Sequence, residues 1–223
     1  MDRELLKQAL VKLLAGVLLV GLLLFLSAGT FQYPQGWLLM AVLFVPMLCA
    51  GFVMLYKSPE LLRRRLNARE QEMQQKTVIA LSGLMFIAVF VLAGLSFRFG
   101  WLMLPMWVSY LAALLFLFDY ALFAEVLREN EYLSRTVEVQ EGQQLVDTGL
   151  YGVVRHPMYM STLVLFFAMP LVLGSMLSFA VMLLYLPIIG ARMRNEEEVL
   201  EQGLPGYREY KQRVKYKVIP YLW

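Results

Sequence analysis

The side chains that could do chemistry fall into three groups, all between residues 130 and 223. The first is a polar stretch before Arg155 that holds Gln140, Gln143, Gln144, Asp147 and Tyr151, with Gly149 among them. The second is the run Arg155-His156-Pro157-Met158-Tyr159. The third is Arg192-Met193-Arg194-Asn195-Glu196-Glu197-Glu198, in which Arg192 and Glu196 stand four apart and so share one face of a helix. A guanidinium can present a two-pronged donor to a carboxylate, and a glutamate can pair with an amine or take a proton from one. Each group also has an ordinary reading. A histidine before a proline is common at a helix start, an exposed Arg/Glu pair is worth only about 0.2–1 kcal/mol, and three glutamates in a row make a solvated face. Spacing alone therefore defines a polar binding site whose ligand stays open. Metals are not expected. The chain has one cysteine, Cys49, and one histidine, His156, which rules out an intrachain disulfide and falls short of the four N/S ligands a structural zinc takes.

These groups must be held by elements of an unusual composition. The chain has 223 residues, 60% hydrophobic and 17% charged, against roughly 25% charged in soluble domains. The apolar residues are not spread out: residues 13–56, 77–97, 99–118 and 156–191 carry no Asp, Glu, Lys or Arg. A helix needs about 20 apolar residues to cross the hydrocarbon layer, so the first and last runs are each long enough to fold into two crossings. The expected spans are 10–28, 36–56, 77–97, 101–123, 159–173 and 175–191, with Gly and Pro at the breaks. A soluble helical protein would leave a polar face on each helix, and these segments do not. The first run is not read as a removable leader, because it turns at Gly29-Thr30-Phe31-Gln32-Tyr33-Pro34 and goes back to apolar sequence. The last two spans form a helical hairpin with short arms, so five to six crossings are predicted. The hairpin returns the chain to its starting depth, which makes His156 and Arg192 near neighbours.

Six crossings put both termini on one side. On that side the N-terminal segment contributes three Lys/Arg, residues 57–76 six, residues 119–155 three and the tail from Arg192 seven, leaving Arg98 alone on the other. The positive-inside rule makes the basic side cytoplasmic. The segment 59–75 alternates apolar and basic residues at helical spacing, which predicts a helix on the membrane surface with its arginines near anionic headgroups. Residues tethered at a bilayer are poorly placed for nucleic acid, and none is expected as a partner.

Gly149-Leu-Tyr-Gly-Val-Val-Arg-His-Pro-Met-Tyr159, a helical hairpin, Arg192 with Glu196-Glu197, then Pro205-Gly-Tyr-Arg-Glu-Tyr-Lys-Gln-Arg-Val214 and Ile219-Pro220, taken in that order, resemble the isoprenylcysteine carboxyl methyltransferase family, in its bacterial form. The resemblance covers residues 130–223 and divides the chain at that point. Residues 1–129 would be N-terminal transmembrane helices with a basic surface loop at 57–76, and 130–223 a methyltransferase core. It implies an all-α integral membrane fold with cytosolic cofactor-binding segments, in the bacterial inner membrane, with S-adenosylmethionine as methyl donor. Carried over by position, Gln140, Gln143, Gln144, Leu145, Val146, Tyr151, Arg155, His156, Pro157, Met158, Tyr159, Glu196 and Glu197 would bind the cofactor. Arg192 would face the acceptor, with Glu196 as the second catalytic group. Where the family often has a small residue after the motif's tyrosine, this chain has Met160 and then Ser161.

The implied partner is an amphiphilic small molecule or lipidated acceptor reached through membrane lipid, and oligomeric state is not readable. A carboxylate acceptor is ionised at pH 7, its reference pKa being about 4, so it needs orientation rather than a base. Three other functions compete. The tail from Tyr207 to Trp223 is also similar to the end of NADPH-dependent membrane sterol reductases, a phospholipid N-methyltransferase would share the same architecture, and a non-enzymatic membrane subunit or carrier needs no such site. Transporters keep their polar groups near the bilayer midplane, whereas here the polar residues gather at one rim, and Asp119, the main exception, sits near a span's cytosolic end.

Overall fold

The computed structural model describes residues 3–66, 73–130, 132–133, 137 and 139–223. It is all-helical among the described residues, apart from one isolated bridge. Five helical stretches are long and apolar enough to cross a membrane: Arg3–Ala28, Pro34–Lys57, Lys76–Phe99, Met106–Glu129 and Met176–Gly203. The chain is an integral membrane protein. On α1 (Arg3–Ala28), Leu14, Leu18, Leu22 and Leu26 are all more than half exposed. They recur every fourth residue, and such a stripe is stable only against lipid.

A 26-residue helix is about 39 Å long, enough for the hydrocarbon layer with some tilt. Gly29, at φ +68°, ends α1, and Pro34 opens α2 (Pro34–Lys57), where its missing N–H costs nothing. The amphipathic α3 (Pro59–Leu66) follows and buries Leu62 against Leu5 and Leu55. It accounts for the first half of the predicted surface helix, and residues 67–72 of that expectation lie outside the described residues. On α4 (Met73–Phe99), Gly94 lies against α1 so closely that a Cβ there would sit 2.6 Å from the Leu24 carbonyl. Small residues let membrane helices approach in this way.

α5 (Met106–Glu129) begins five residues later than the fourth predicted span. Pro105 precedes it, and residues 102–104 instead bond the turn that ends α6 (Pro157–Val172). Leu104 N–H donates to Gly174 O at 2.8 Å, and Met103 bridges Ser175. The Tyr33 hydroxyl donates to Leu173 O at 2.7 Å at the same end of the bundle, where Arg98 also packs beside Gly29. All the reversals that the sequence assigned to the non-basic side therefore meet. Both ends of the described chain lie at the opposite, basic end.

The second arm of the hairpin is broken. α7 (Met176–Met182) stops at Leu183-Leu184, and α8 (Tyr185–Gly203) restarts. Pro187 is the cause: it cannot donate to Leu183 O, and its ring crowds that carbonyl. The bonds there contract to Leu184 N–H to Val181 O and Leu186 N–H to Leu183 O. The apolar part of this arm ends at Ala191, and α8 runs on as a polar helix to Gly203 before α9 (Tyr207–Arg213).

Candidate functional site

The polar groups converge at the basic end because three elements turn there. α5 ends in Glu129, whose carboxylate accepts from the Leu150 N–H at 3.2 Å and the Thr148 hydroxyl at 3.1 Å. Gly149 sits over that carboxylate at φ +50°, and a Cβ there would be 2.1 Å from Glu129 Oε1. Only glycine fits. The 3-10 turn Gly149–Gly152 then leads to His156, the residue before Pro157 at the first position of α6. The segment after α9 closes the arrangement: Arg155 N–H donates to Tyr216 O at 2.9 Å and His156 N–H to Lys217 O at 2.8 Å. The Tyr210 hydroxyl bonds Tyr151 O at 2.8 Å, fastening α9 to the 3-10 turn.

These elements line a small, partly open cleft of about 90 Å³. The structure brings Gln143, Gln144, Leu145, Val146, Tyr151, Arg155, His156, Pro157, Met158, Tyr159, Arg192 and Glu196 into its wall. On the floor, the Tyr159 hydroxyl donates to Glu196 Oε2 and accepts from Arg192 Nε at 2.9 Å. This chain of guanidinium, phenol and carboxylate runs across the hairpin. His156 and Arg192 are not direct partners; Tyr159 stands between α6 and Arg192.

Two expected residues fall outside the wall. Gln140 is turned to the loop itself: its amide donates to Tyr132 O, and its own N–H donates to Gln143 Oε1 at 2.9 Å. Glu197 is buried behind the cleft. Its Oε1 takes Arg155 Nε at 2.8 Å and lies 3.2 Å from His156 Nε2, while its Oε2 lies 3.4 Å from both Lys211 and Lys217. Consecutive residues on a helix are about 100° apart, so Glu196 and Glu197 cannot both face the cleft. The Arg155 side chain lies in the wall yet is already committed, since its Nη1 also donates to Val214 O and Lys215 O at 2.7 and 2.8 Å.

The structure adds Asn130, Tyr132, Leu133, Val137, Val199, Leu200, Leu204, Tyr207 and Tyr210 to the wall. Burial holds the phenols of Tyr151, Tyr207 and Tyr210 above the usual tyrosine value, and the Glu197 and Glu196 charges push Tyr207 the same way. All three stay neutral at working pH. The Tyr207 hydroxyl is buried without a hydrogen bond among the described residues, so it can donate to a ligand. Val199 and Leu200 were legible in principle, because they stand three and four residues after Glu196 on the same helix face.

Residues 107–205 match a family model described as Phospholipid methyltransferase, a stretch running from α5 through the cleft to the end of α8. The chain is also 32% identical over 91 residues to the Delta(14)-sterol reductase TM7SF2 of Mus musculus. That alignment takes in 40% of this chain, and the chain spans about a fifth of that relative's length. The comparisons thus make residues 107–205 similar to phospholipid methyltransferases, and a stretch of 91 residues similar to a sterol reductase.

Proposed function

We propose that this protein is an S-adenosylmethionine-dependent methyltransferase that methylates the carboxylate of a lipid-tailed, isoprenylcysteine-like acceptor at the cytoplasmic rim of the membrane. The observation that carries the reading is the Arg192–Tyr159–Glu196 chain in the wall of a cleft within the region similar to phospholipid methyltransferases. The cleft suits the cofactor chemically. Glu196 can pair with its amino group, the free Tyr207 hydroxyl and the polar loop at Gln143 and Gln144 can meet its polar ends, and Leu145, Val146 and Leu204 can cover the adenine. Bound there, the cofactor supplies an electrophilic methyl group on a sulfonium.

The protein's own task is positioning, which governs an in-line displacement. Arg192 orients the ionised acceptor, and Tyr159 fixes Arg192 relative to Glu196. The buried wall excludes water from the reacting groups. The location at a bundle end whose basic residues face the cytoplasm lets a water-soluble donor and a membrane-borne acceptor meet.

The family match favours a second acceptor, the amine of a phospholipid. Glu196 would then have to take the proton that an ammonium loses before it can be methylated. The test is thermal unfolding of the purified protein with S-adenosylmethionine or NADPH, since a ligand that binds only the folded state raises its stability. Stabilisation by NADPH alone would replace the methyltransferase with a reductase. With tritiated donor and membrane lipids, label released as methanol by mild alkali identifies a carboxyl ester. Alkali-stable label identifies the amine product.

A further inference from the structure

Asp119 is a buried carboxyl towards the basic end of α5, and neither the wall of the cleft nor the proposed chemistry uses it. It lies on α5, 1% exposed, among Phe116, Ala112 and the apolar face of α6. Its Oδ2 accepts from the Ser161 hydroxyl at 2.6 Å, and its Oδ1 makes no hydrogen bond among the described residues. An ionisable side chain at membrane depth is costly, and one unsatisfied buried oxygen adds to that cost. Well-packed leucine there would be at least as stable. Stability does not account for the aspartate.

Position does. Ser161 stands two residues after Tyr159, about 200° around the helix. α6 therefore points Tyr159 at Arg192 and Glu196 of α8, and Ser161 at α5. Among the described residues the Ser161–Asp119 bond is the one hydrogen bond that joins α6 to α5. A rotation of one residue, about 100°, would carry Tyr159 out of the cleft floor and swing His156 off Glu197. On the α5 side the hydroxyl–carboxylate bond distinguishes one rotation from the next, as the Tyr159 bonds do on the α8 side. We propose that Asp119 is a positioning residue: by holding Ser161 it sets the rotation of α6, and through it the direction in which His156, Met158 and Tyr159 face the cleft. The cofactor enters only as one readout, so the inference rests on the methyltransferase reading in that arm alone.

The experiment uses the full chain in lipid nanodiscs and two measurements. The first is the stabilisation produced by S-adenosylmethionine in Asp119→Leu, Asp119→Asn and Ser161→Ala. The second, in a Cys49→Ser background, is labelling of Met158→Cys by a water-soluble maleimide, which needs no ligand. Asp119→Leu should unfold at or above the parent temperature, yet lose both the cofactor-induced shift and the labelling. Asp119→Asn keeps an acceptor oxygen and should restore both. If Asp119→Leu does not fold, Ser161→Ala carries the same expectation, because it removes the bond with almost no change in volume. A folded Asp119→Leu or Ser161→Ala that labels like the parent overturns the proposal. If the parent shows no shift with the cofactor, the methyltransferase reading fails and the labelling arm still decides the role of Asp119.

Discussion

Replacing Glu197 by alanine should lower the stability of the whole basic end, because Glu197 holds Arg155 and His156 of the cleft wall from behind. The Glu197 and Arg155 side chains are each 5% exposed, and His156 is 4% exposed. Oε1 takes the Arg155 guanidinium at 2.8 Å, and each charge-assisted bond of this kind contributes about 1.5–3 kcal/mol. The contact with the His156 ring at 3.2 Å adds a second bond to the same oxygen. Lys211 and Lys217 are partly exposed at 3.4 Å and add at most about 1 kcal/mol each. Alanine removes these contacts and leaves the buried Arg155 guanidinium without its anion, the situation that costs about 3–5 kcal/mol. In a chain of this size that corresponds to a fall of roughly 6–20 °C in Tm. Glutamine keeps an acceptor oxygen and should recover part of the loss. The assay is thermal unfolding in detergent, followed by tryptophan fluorescence. A Glu197→Ala protein within about 2 °C of the parent would refute the reading of Glu197 as the anchor of the C-terminal segment.

Arg192→Ala should leave the cofactor-induced stabilisation in place and lower turnover by about 10²-fold or more, as loss of an oriented charge at the reacting group does; Arg192→Lys should not rescue it, since an ammonium cannot replace the planar fork. Loss of cofactor binding in Arg192→Ala would show the division of labour between Arg192 and Glu196 to be wrong. Tyr207→Phe removes a buried hydroxyl with no partner among the described residues, so stability should change by less than about 0.5 kcal/mol, while affinity for the cofactor falls by the worth of one hydrogen bond, about 0.5–1.5 kcal/mol. Unchanged affinity by calorimetry would put that hydroxyl outside the ligand's reach. Gly149→Ala combines a positive φ with a Cβ inside the Glu129 carboxylate and should cost more than about 1 kcal/mol; a neutral effect on Tm would remove Glu129 as the brace of the loop.

The membrane spans were legible because lipid forbids polar faces, and uncharged runs of 20 or more residues leave few alternatives. The break at Leu183-Leu184 was legible too, from Pro187, but a proline inside an apolar run reads equally well as a tolerated kink. The start of α5 was misplaced by five residues for a different reason. Trp101 to Leu104 are apolar enough to continue a span, and only their bonds to the turn at Gly174, some 70 residues on, take them out of it. Of the site, the runs around His156 and Arg192 were visible as sequence. Which of two adjacent glutamates faces the cleft was not, because that depends on the rotation of α8, fixed by Tyr159 on one side and by Arg155 on the other.

That last dependence links the anchor to the chemistry. Glu196 and Glu197 are held by different kinds of partner: the neutral phenol of Tyr159 at the cleft, and a cluster of cations behind it. The cations come from two places far apart in sequence, Arg155 just before α6, and Lys211 and Lys217 on α9 and the segment after it. One buried carboxylate therefore joins the membrane hairpin to the C-terminal segment, and the neighbouring carboxylate takes its direction from that junction. The C-terminal segment is in this sense part of the cleft. A change at Lys217, which touches no residue of the floor, should reach Glu196 through the same helix turn.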